Sequence, residues 1–152
     1  MIRTIFAFLL LTLIFVSCDE EETDYGPIDK KKIEDYLKAN NLSAQSTESG
    51  LYYIIDKPGG TNHPTKSSKV SVNYKGYLLD GTVFDQSYTN GQPSSFNLSG
   101  VIAAWREGIP LIGVGGKIKL LAPSELGYGS NAQSKIPANS VLIFDVELVD
   151  FY

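Results

Sequence analysis

One cysteine, one histidine and one tryptophan in 152 residues are unusually few chemical handles, and each scarcity closes off a class of function. A lone cysteine cannot form an internal disulfide. The lone histidine, His63, sits in a polar loop with no second imidazole. Any serine, cysteine or lysine nucleophile therefore lacks a base, and a metal lacks a histidine pair. No His, Cys, Asp or Glu residues recur at metal-ligand spacing, so neither a metal nor a cofactor is expected. Asp85 and Asp145 have no facing carboxylate of the kind glycosidic cleavage requires. Positive charge is also short: 13 Lys and Arg stand against 17 Asp and Glu, a formal charge of −4. Lys75, Lys117 and Lys119 are scattered along strands instead of forming a basic stripe, which argues against nucleic acid as a partner. Gly113-Val114-Gly115-Gly116 lacks the Lys-Ser/Thr of a phosphate loop and reads as a turn. What the chain does have is 43% hydrophobic residues, enough for one ordinary core with accessory segments.

The one long apolar run is N-terminal. Arg3 precedes Ile5 to Val16, and Phe15-Val16-Ser17-Cys18 follows with a small residue just before the cysteine. The run is too short for a comfortable membrane span and reads as a signal segment. It resembles a bacterial lipoprotein signal, although Phe15 stands where leucine is usual; an ordinary secretory signal with an incidental cysteine is the alternative. The resemblance implies that residues 1–17 are removed and that Cys18 carries acyl chains. The protein would then be lipid-anchored in the bacterial cell envelope, facing the periplasm or the cell surface. The acidic run from Asp19 to Asp24 cannot pack and makes residues 18–27 a solvated tether.

Beyond the tether, Ile33, Tyr36 and Leu37 at i, i+3 and i+4 predict a helix from Pro27 and Asp29 to about Asn40, with Asp29 as its N-cap. Its narrow stripe suits docking on the domain, the simpler expectation, or a dimer contact. Asn41 to Gly50 is polar and reads as a linker, so residues 28–50 form an N-terminal helix and linker ahead of a domain over 51–152. In that domain Val70, Val72 and Tyr74 alternate with polar residues, Asp80-Gly81 signals a hairpin, and Val83-Phe84-Asp85 resumes the strand. Phe96 and Leu98 precede a short helix expected over Val101 to Gly108, which holds Trp105. Val101, Ile102 and Trp105 share one face, and Gly108 supplies a permissive end. From the helix alone, Trp105 fits a solid core or the floor of an apolar pocket. Two more alternating strands follow, Lys117 to Ala122 and Leu142 to Val149. The stretch between them, Pro123 to Pro137, is too long for a hairpin turn and carries Tyr128 between Gly127 and Gly129. Loops of this length in compact domains are commonly functional.

Tyr74, Val83-Phe84-Asp85, Val101-Ile102 with Trp105-Arg106-Glu107-Gly108, Gly127-Tyr128-Gly129, Ile136-Pro137 and Phe144-Asp145-Val146-Glu147-Leu148 occur in a fixed order. Together they resemble an FKBP-type peptidyl-prolyl cis-trans isomerase over about residues 68–151. The resemblance implies an α+β fold: a twisted antiparallel β-sheet wrapped around one short α-helix, here with an extra N-terminal helix. It also implies catalytic roles for Tyr74, Phe84, Asp85, Trp105, Tyr128 and Phe144. Trp105 would be the pocket floor and Asp85 the polar group at the rim. Val101, Ile102, Ile136 and Ser94 would bind substrate, with the Ile102 N–H and the Tyr128 hydroxyl donating to its carbonyls.

Two positions depart from the family. Ser94 stands where drug-binding members carry a phenylalanine wall, which implies weak binding of macrolide drugs. Asn90 stands where an arginine often supports the aspartate, leaving Tyr74 to orient Asp85. The implied partners are proline-containing polypeptide clients and, through Cys18, the membrane. A prolyl-peptide binding or chaperone module with weak turnover is the alternative function, and a tether with a relic pocket is a third. The two leading readings separate by catalysis against mere binding.

Overall fold

The computed structural model describes residues 23–87 and 91–152. The signal-like run, Cys18 and Asn90 lie outside the described residues. Among the described residues, seven strands make one antiparallel sheet: β1 (Gln45–Ser46), β2 (Tyr52–Lys57), β3 (Lys69–Leu78), β4 (Val83–Gln86), β5 (Ser94–Asn97), β6 (Lys117–Ala122) and β7 (Leu142–Phe151). Their order is β1-β2-β6-β7-β3-β4, with β5 also on β3. One edge of β3 is shared. Lys69 to Val72 pair with β5 and Lys75 to Tyr77 with β4, while Val70 to Leu78 pair with β7 on the other side. The Asp80-Gly81 turn closes β3 onto β4, with Gly81 at φ 88° and the Asp80 carboxylate accepting from the Thr82 N–H at 2.9 Å.

Alternation decides which core each residue joins. Val70, Val72 and Tyr74 of β3, Ile118 and Leu120 of β6, and Leu142 and Phe144 of β7 turn to one face. There they meet α2 (Ala103–Gly108), which carries Ala104 and Trp105. This helix begins two residues later than its sequence pattern predicts. Val101 and Ile102 are extended, and Ile102 caps the helix, its carbonyl accepting from the N–H groups of Trp105 and Arg106 at 3.1 and 3.2 Å. Gly108 does not end the chain's turning either. Its φ of −80° is right-handed, and the chain runs on into a 3₁₀ turn over Ile109–Leu111. Glycine is needed there for space, since a Cβ would lie 2.5 Å from Leu120 Cδ2.

The opposite face of the sheet is covered by α1 (Tyr25–Ala39). Asp24, not Asp29, is its N-cap, accepting from the Gly26 N–H at 2.9 Å. Asp29 instead joins Ile33 and Leu37 in the buried stripe, at i, i+4 and i+8. Ile33 and Leu37 pack on Leu121, Val141 and Ile143, so the helix docks on the sheet. Each such side chain contributes about 1.5–3 kcal/mol when fully buried. The stretch expected as a linker contains β1, which pairs Gln45 with Tyr53 and Ser46 with Tyr52, and is therefore part of the sheet. Among the described residues no helix is long and apolar enough to cross a membrane.

Candidate active site

Trp105 is the point on which three sheet positions converge. Its ring meets Tyr74 of β3 at 5.0 Å, Phe96 of β5 at 5.3 Å and Phe144 of β7 at 5.5 Å between centroids, all edge-to-face. Phe84 of β4 stands edge-on to Phe144 at 5.6 Å. Edge-to-face contact sets the positive rim of one ring against the negative face of another, so the rings hold each other's orientation. Above the indole they leave a cavity of about 520 Å³, the size of a small-ligand site. Val101 and Ile102, extended ahead of α2, form one wall. The long loop supplies another through Tyr128 and Ile136.

Phe84 and Asp85 are neighbours in a strand, where alternation would send them to opposite faces. Both line the cavity. The register explains how: Gly76 pairs with Asp85 and Tyr77 with Val83, leaving Phe84 as the extra residue of a β-bulge. Gly76 makes room for it, because a Cβ there would come within 2.5 Å of Phe84 Cε2 and 3.0 Å of Phe144 Cε1.

Asp85 is the cavity's carboxylate. Its Oδ2 accepts from the Tyr74 hydroxyl at 2.6 Å and its Oδ1 from the Gln86 N–H at 2.9 Å. The Tyr74 hydroxyl is pushed well above the ordinary tyrosine range, first by burial and then by its bond to Asp85, so it stays a donor at neutral pH. Ser87, also buried, accepts from the Tyr74 N–H at 2.9 Å and pins the end of β4 to β3. Two further donors face no partner among the described residues: the Ile102 N–H and the buried Trp105 Nε1.

The long loop is structured. Its first turn, Ser124–Leu126, is 3₁₀, and the Ser124 carbonyl accepts from the N–H groups of Gly127 and Gly129 at 3.0 and 2.8 Å. Tyr128 is held between them, 38% exposed. Farther on, Gln133 and Ile136 exchange backbone hydrogen bonds of 2.8 and 3.1 Å, which turns Ile136 into the cavity.

Of the residues singled out from sequence, Tyr74, Phe84, Asp85, Val101, Ile102, Trp105, Tyr128, Ile136 and Phe144 line this one cavity. Ser94 requires a correction. It pairs with Val72 on β5 and is not among the lining residues. The aromatic wall is Phe96, two residues on and on the same face of the strand. Phe96 carries a signal in that period-two spacing, but the two residues alone do not separate a pocket wall from a lead into the helix. Gly100 and the rim residues Gln133, Ser134 and Lys135 were missed as well. Nothing periodic marks them, since loop conformation alone brings them to the rim.

A family model described as FKBP-type peptidyl-prolyl cis-trans isomerase matches residues 60–149. The FKBP-type peptidyl-prolyl cis-trans isomerase FkpA of Buchnera aphidicola subsp. Schizaphis graminum is 46% identical over 137 residues, covering 90% of this chain and 52% of that protein. The crystal structure of FkpA from Escherichia coli is similar with a TM-score of 0.74 at 44% identity, covering 84% of this chain and 60% of the other. A peptidyl-prolyl cis-trans isomerase structure from Pseudomonas syringae pv. tomato gives a TM-score of 0.70 at 28% identity, covering 85% and 98%. The chain spans about half the length of the curated relatives it matches. The matched region takes in α2, the aromatic strands and the long loop, and on that ground the chain belongs to the FKBP-type peptidyl-prolyl cis-trans isomerase family.

Proposed function

We propose that this protein catalyses cis–trans isomerisation of X-Pro bonds in polypeptides outside the cytoplasm, assisting their folding. The observation that carries the reading is the Trp105 cage, a ring-walled cavity whose carboxylate is already engaged by Tyr74. Rotation about a peptide bond faces a barrier of ~18–20 kcal/mol from amide resonance, and no bond has to break. At the half-turned geometry the carbonyl loses part of its amide dipole and the proline nitrogen regains a lone pair. A water-poor aromatic cavity therefore disfavours the planar amide relative to the twisted one.

The proline ring rests on Trp105, with Phe144 and Phe84 beside it. The Ile102 N–H and the Tyr128 hydroxyl donate to the flanking carbonyls, and Asp85, held by Tyr74, is the polar group at the rim. A rate gain of about four orders of magnitude needs only ~5.5 kcal/mol. Desolvating a carbonyl and making one or two hydrogen bonds, at about 1–3 kcal/mol each, falls in that range.

A protease-coupled isomerisation assay on an X-Pro peptide, run beside a binding titration, tests the reading. Catalysis at ordinary enzyme levels is expected, whereas binding without turnover would make the protein a peptide-binding module.

Location is a second part of the proposal. Arg3, the apolar run to Val16 and the small residue before Cys18 support a lipid anchor on that cysteine, which would hold the isomerase at the cell envelope. Cys18→Ala is expected to leave the detergent phase on partitioning, while the wild type stays in it and carries acyl mass. Equal partitioning and no acyl mass would remove the anchor from the account.

A further inference from the structure

α1 lies ahead of the region matched by the family model, yet one of its side chains reaches the cavity loop. Asp29 is 0% exposed. A carboxylate so buried needs donors, and it has two: Lys32 Nζ at 3.0 Å on the same helix, and the backbone N–H of Ser124 at 2.8 Å, 95 residues away in sequence. Only the second leaves the helix. Ser124 begins the 3₁₀ turn that opens the long loop, and its carbonyl is the acceptor for both glycine amides that flank Tyr128. One residue is thus fixed at its N–H by α1 and at its carbonyl by the two neighbours of Tyr128. The loop has little room to shift, since a Cβ on Gly127 would lie 2.8 Å from Leu142 Cδ1, and the Gly129 carbonyl is held by the Asn139 N–H at 2.7 Å. For docking alone, an apolar residue at position 29 would extend the Ile33–Leu37 stripe without the desolvation that a buried carboxylate suffers.

We infer that Asp29 is a positioning residue for Tyr128, acting through the Ser124 amide, and that α1 is therefore part of the isomerase unit and not only a cover for the sheet. The inference rests on the proposed activity, because the placement of the Tyr128 hydroxyl matters only to a prolyl peptide in the cavity.

The test uses the full chain as wild type, Asp29→Ala and Asp29→Asn, each with and without Tyr128→Phe. Prolyl turnover is read together with amide hydrogen exchange. Asp29→Ala is expected to lower kcat/KM about 10-fold, within the cost of a misplaced contact group. Asp29→Asn keeps an oxygen that accepts from Ser124 and should stay within about 2-fold of the wild type. In the Tyr128→Phe background the effect of Asp29→Ala should vanish, as it must if the two residues act through one contact. The amides of Gly127 and Gly129 should exchange about 10-fold faster in Asp29→Ala, while those of β6 and β7 stay protected. An undiminished loss in the Tyr128→Phe background, or no loss at all, overturns the inference. If the wild type shows no turnover, the proposed activity falls and exchange alone decides: unchanged protection at Gly127 and Gly129 then overturns the coupling. Should Asp29→Ala fail to fold, Asp29→Leu, which fills the vacated volume, is read in its place.

Discussion

The two faces of this sheet are built from alternate residues of the same strands and have opposite characters. On the face covered by α1, Ile33, Leu37, Leu121 and Ile143 fill the space between helix and sheet. Beyond the helix, Lys119 bridges Asp145 and the Tyr77 hydroxyl, and Lys117 pairs with Glu147. On the other face a single short helix sets one large ring against the sheet, and rings standing edge-on around it leave space above. Flexible aliphatic side chains collapse onto one another, whereas rigid aromatic rings locked edge-to-face can line a hollow without closing it. Both faces bury side chains that stabilise the fold, but the cavity belongs to one parity of strand positions and the contact with α1 to the other.

Ile143 and Phe144 are adjacent on β7 and face opposite ways, so truncating each breaks the comparison most directly. Ile143→Ala should destabilise by about 2–5 kcal/mol in chemical denaturation while leaving kcat/KM per folded molecule nearly unchanged. Phe144→Ala should cost a similar 3–5 kcal/mol and also reduce peptide turnover by at least about 100-fold, because it removes a wall that orients both Trp105 and Phe84. Equal activity losses from the two would mean that the faces are not functionally separate.

A smaller effect is expected for the hydroxyls. Tyr74→Phe frees Asp85 of a charge-assisted bond worth about 1.5–3 kcal/mol and should lower kcat/KM roughly 10-fold to 100-fold. Tyr77→Phe deletes the corresponding group on the other face and should leave turnover alone.

How much of this was legible in the sequence follows from the same geometry. Period-two alternation located both sides of β3 and β7, because a half-buried strand must alternate. It failed where backbone irregularity intervened. Phe84 reaches the cavity through a bulge, which the alternation of Val83-Phe84-Asp85 does not reveal. The resemblance implies a wall at Ser94, although Phe96 on the same face makes the contact with Trp105. An acidic residue at a helix start predicts a cap at Asp29, but Asp24 takes that place. The i, i+4, i+8 spacing of Asp29 with Ile33 and Leu37 is the sequence sign that it is buried. The rim residues Gln133 to Lys135 follow loop conformation, for which single-sequence patterns carry no signal.

Alkaline titration should act on stability before it acts on turnover. Burial pushes the Tyr77 hydroxyl up to about 12, although its bond from Lys119 opposes this. Lys119, lowered by burial, is raised more by its bonds to Asp145 and Tyr77. Both folded-state values exceed those of the unfolded chain, so the folded state binds protons more tightly. The Tyr77 contribution is complete below about pH 10 and is lost as pH climbs toward about 12, and that of Lys119 is likewise lost on the alkaline side. Denaturation midpoints should fall over that window, and Tyr77→Phe should flatten the fall. Turnover between about pH 6 and 9 should not follow it, because the proposed isomerisation transfers no proton and the raised Tyr74 hydroxyl stays protonated.

The smallest effect distinguishes two positions of one strand. Ser94→Phe should change peptide turnover and macrolide affinity by less than about 2-fold, being outside the cavity, whereas Phe96→Ala should weaken an apolar ligand about 10-fold or more.

The most direct test is exchange NMR on a peptide with resolved cis and trans X-Pro signals, with a catalytic amount of protein. Wild type and Ile143→Val should both bring the isomers into exchange far faster than the uncatalysed tens of seconds or longer. Trp105→Leu, folded but without the cage floor, should leave exchange close to the uncatalysed rate. Fast exchange with Trp105→Leu, or none with the wild type, would contradict the claim that the ring-walled face performs the isomerisation.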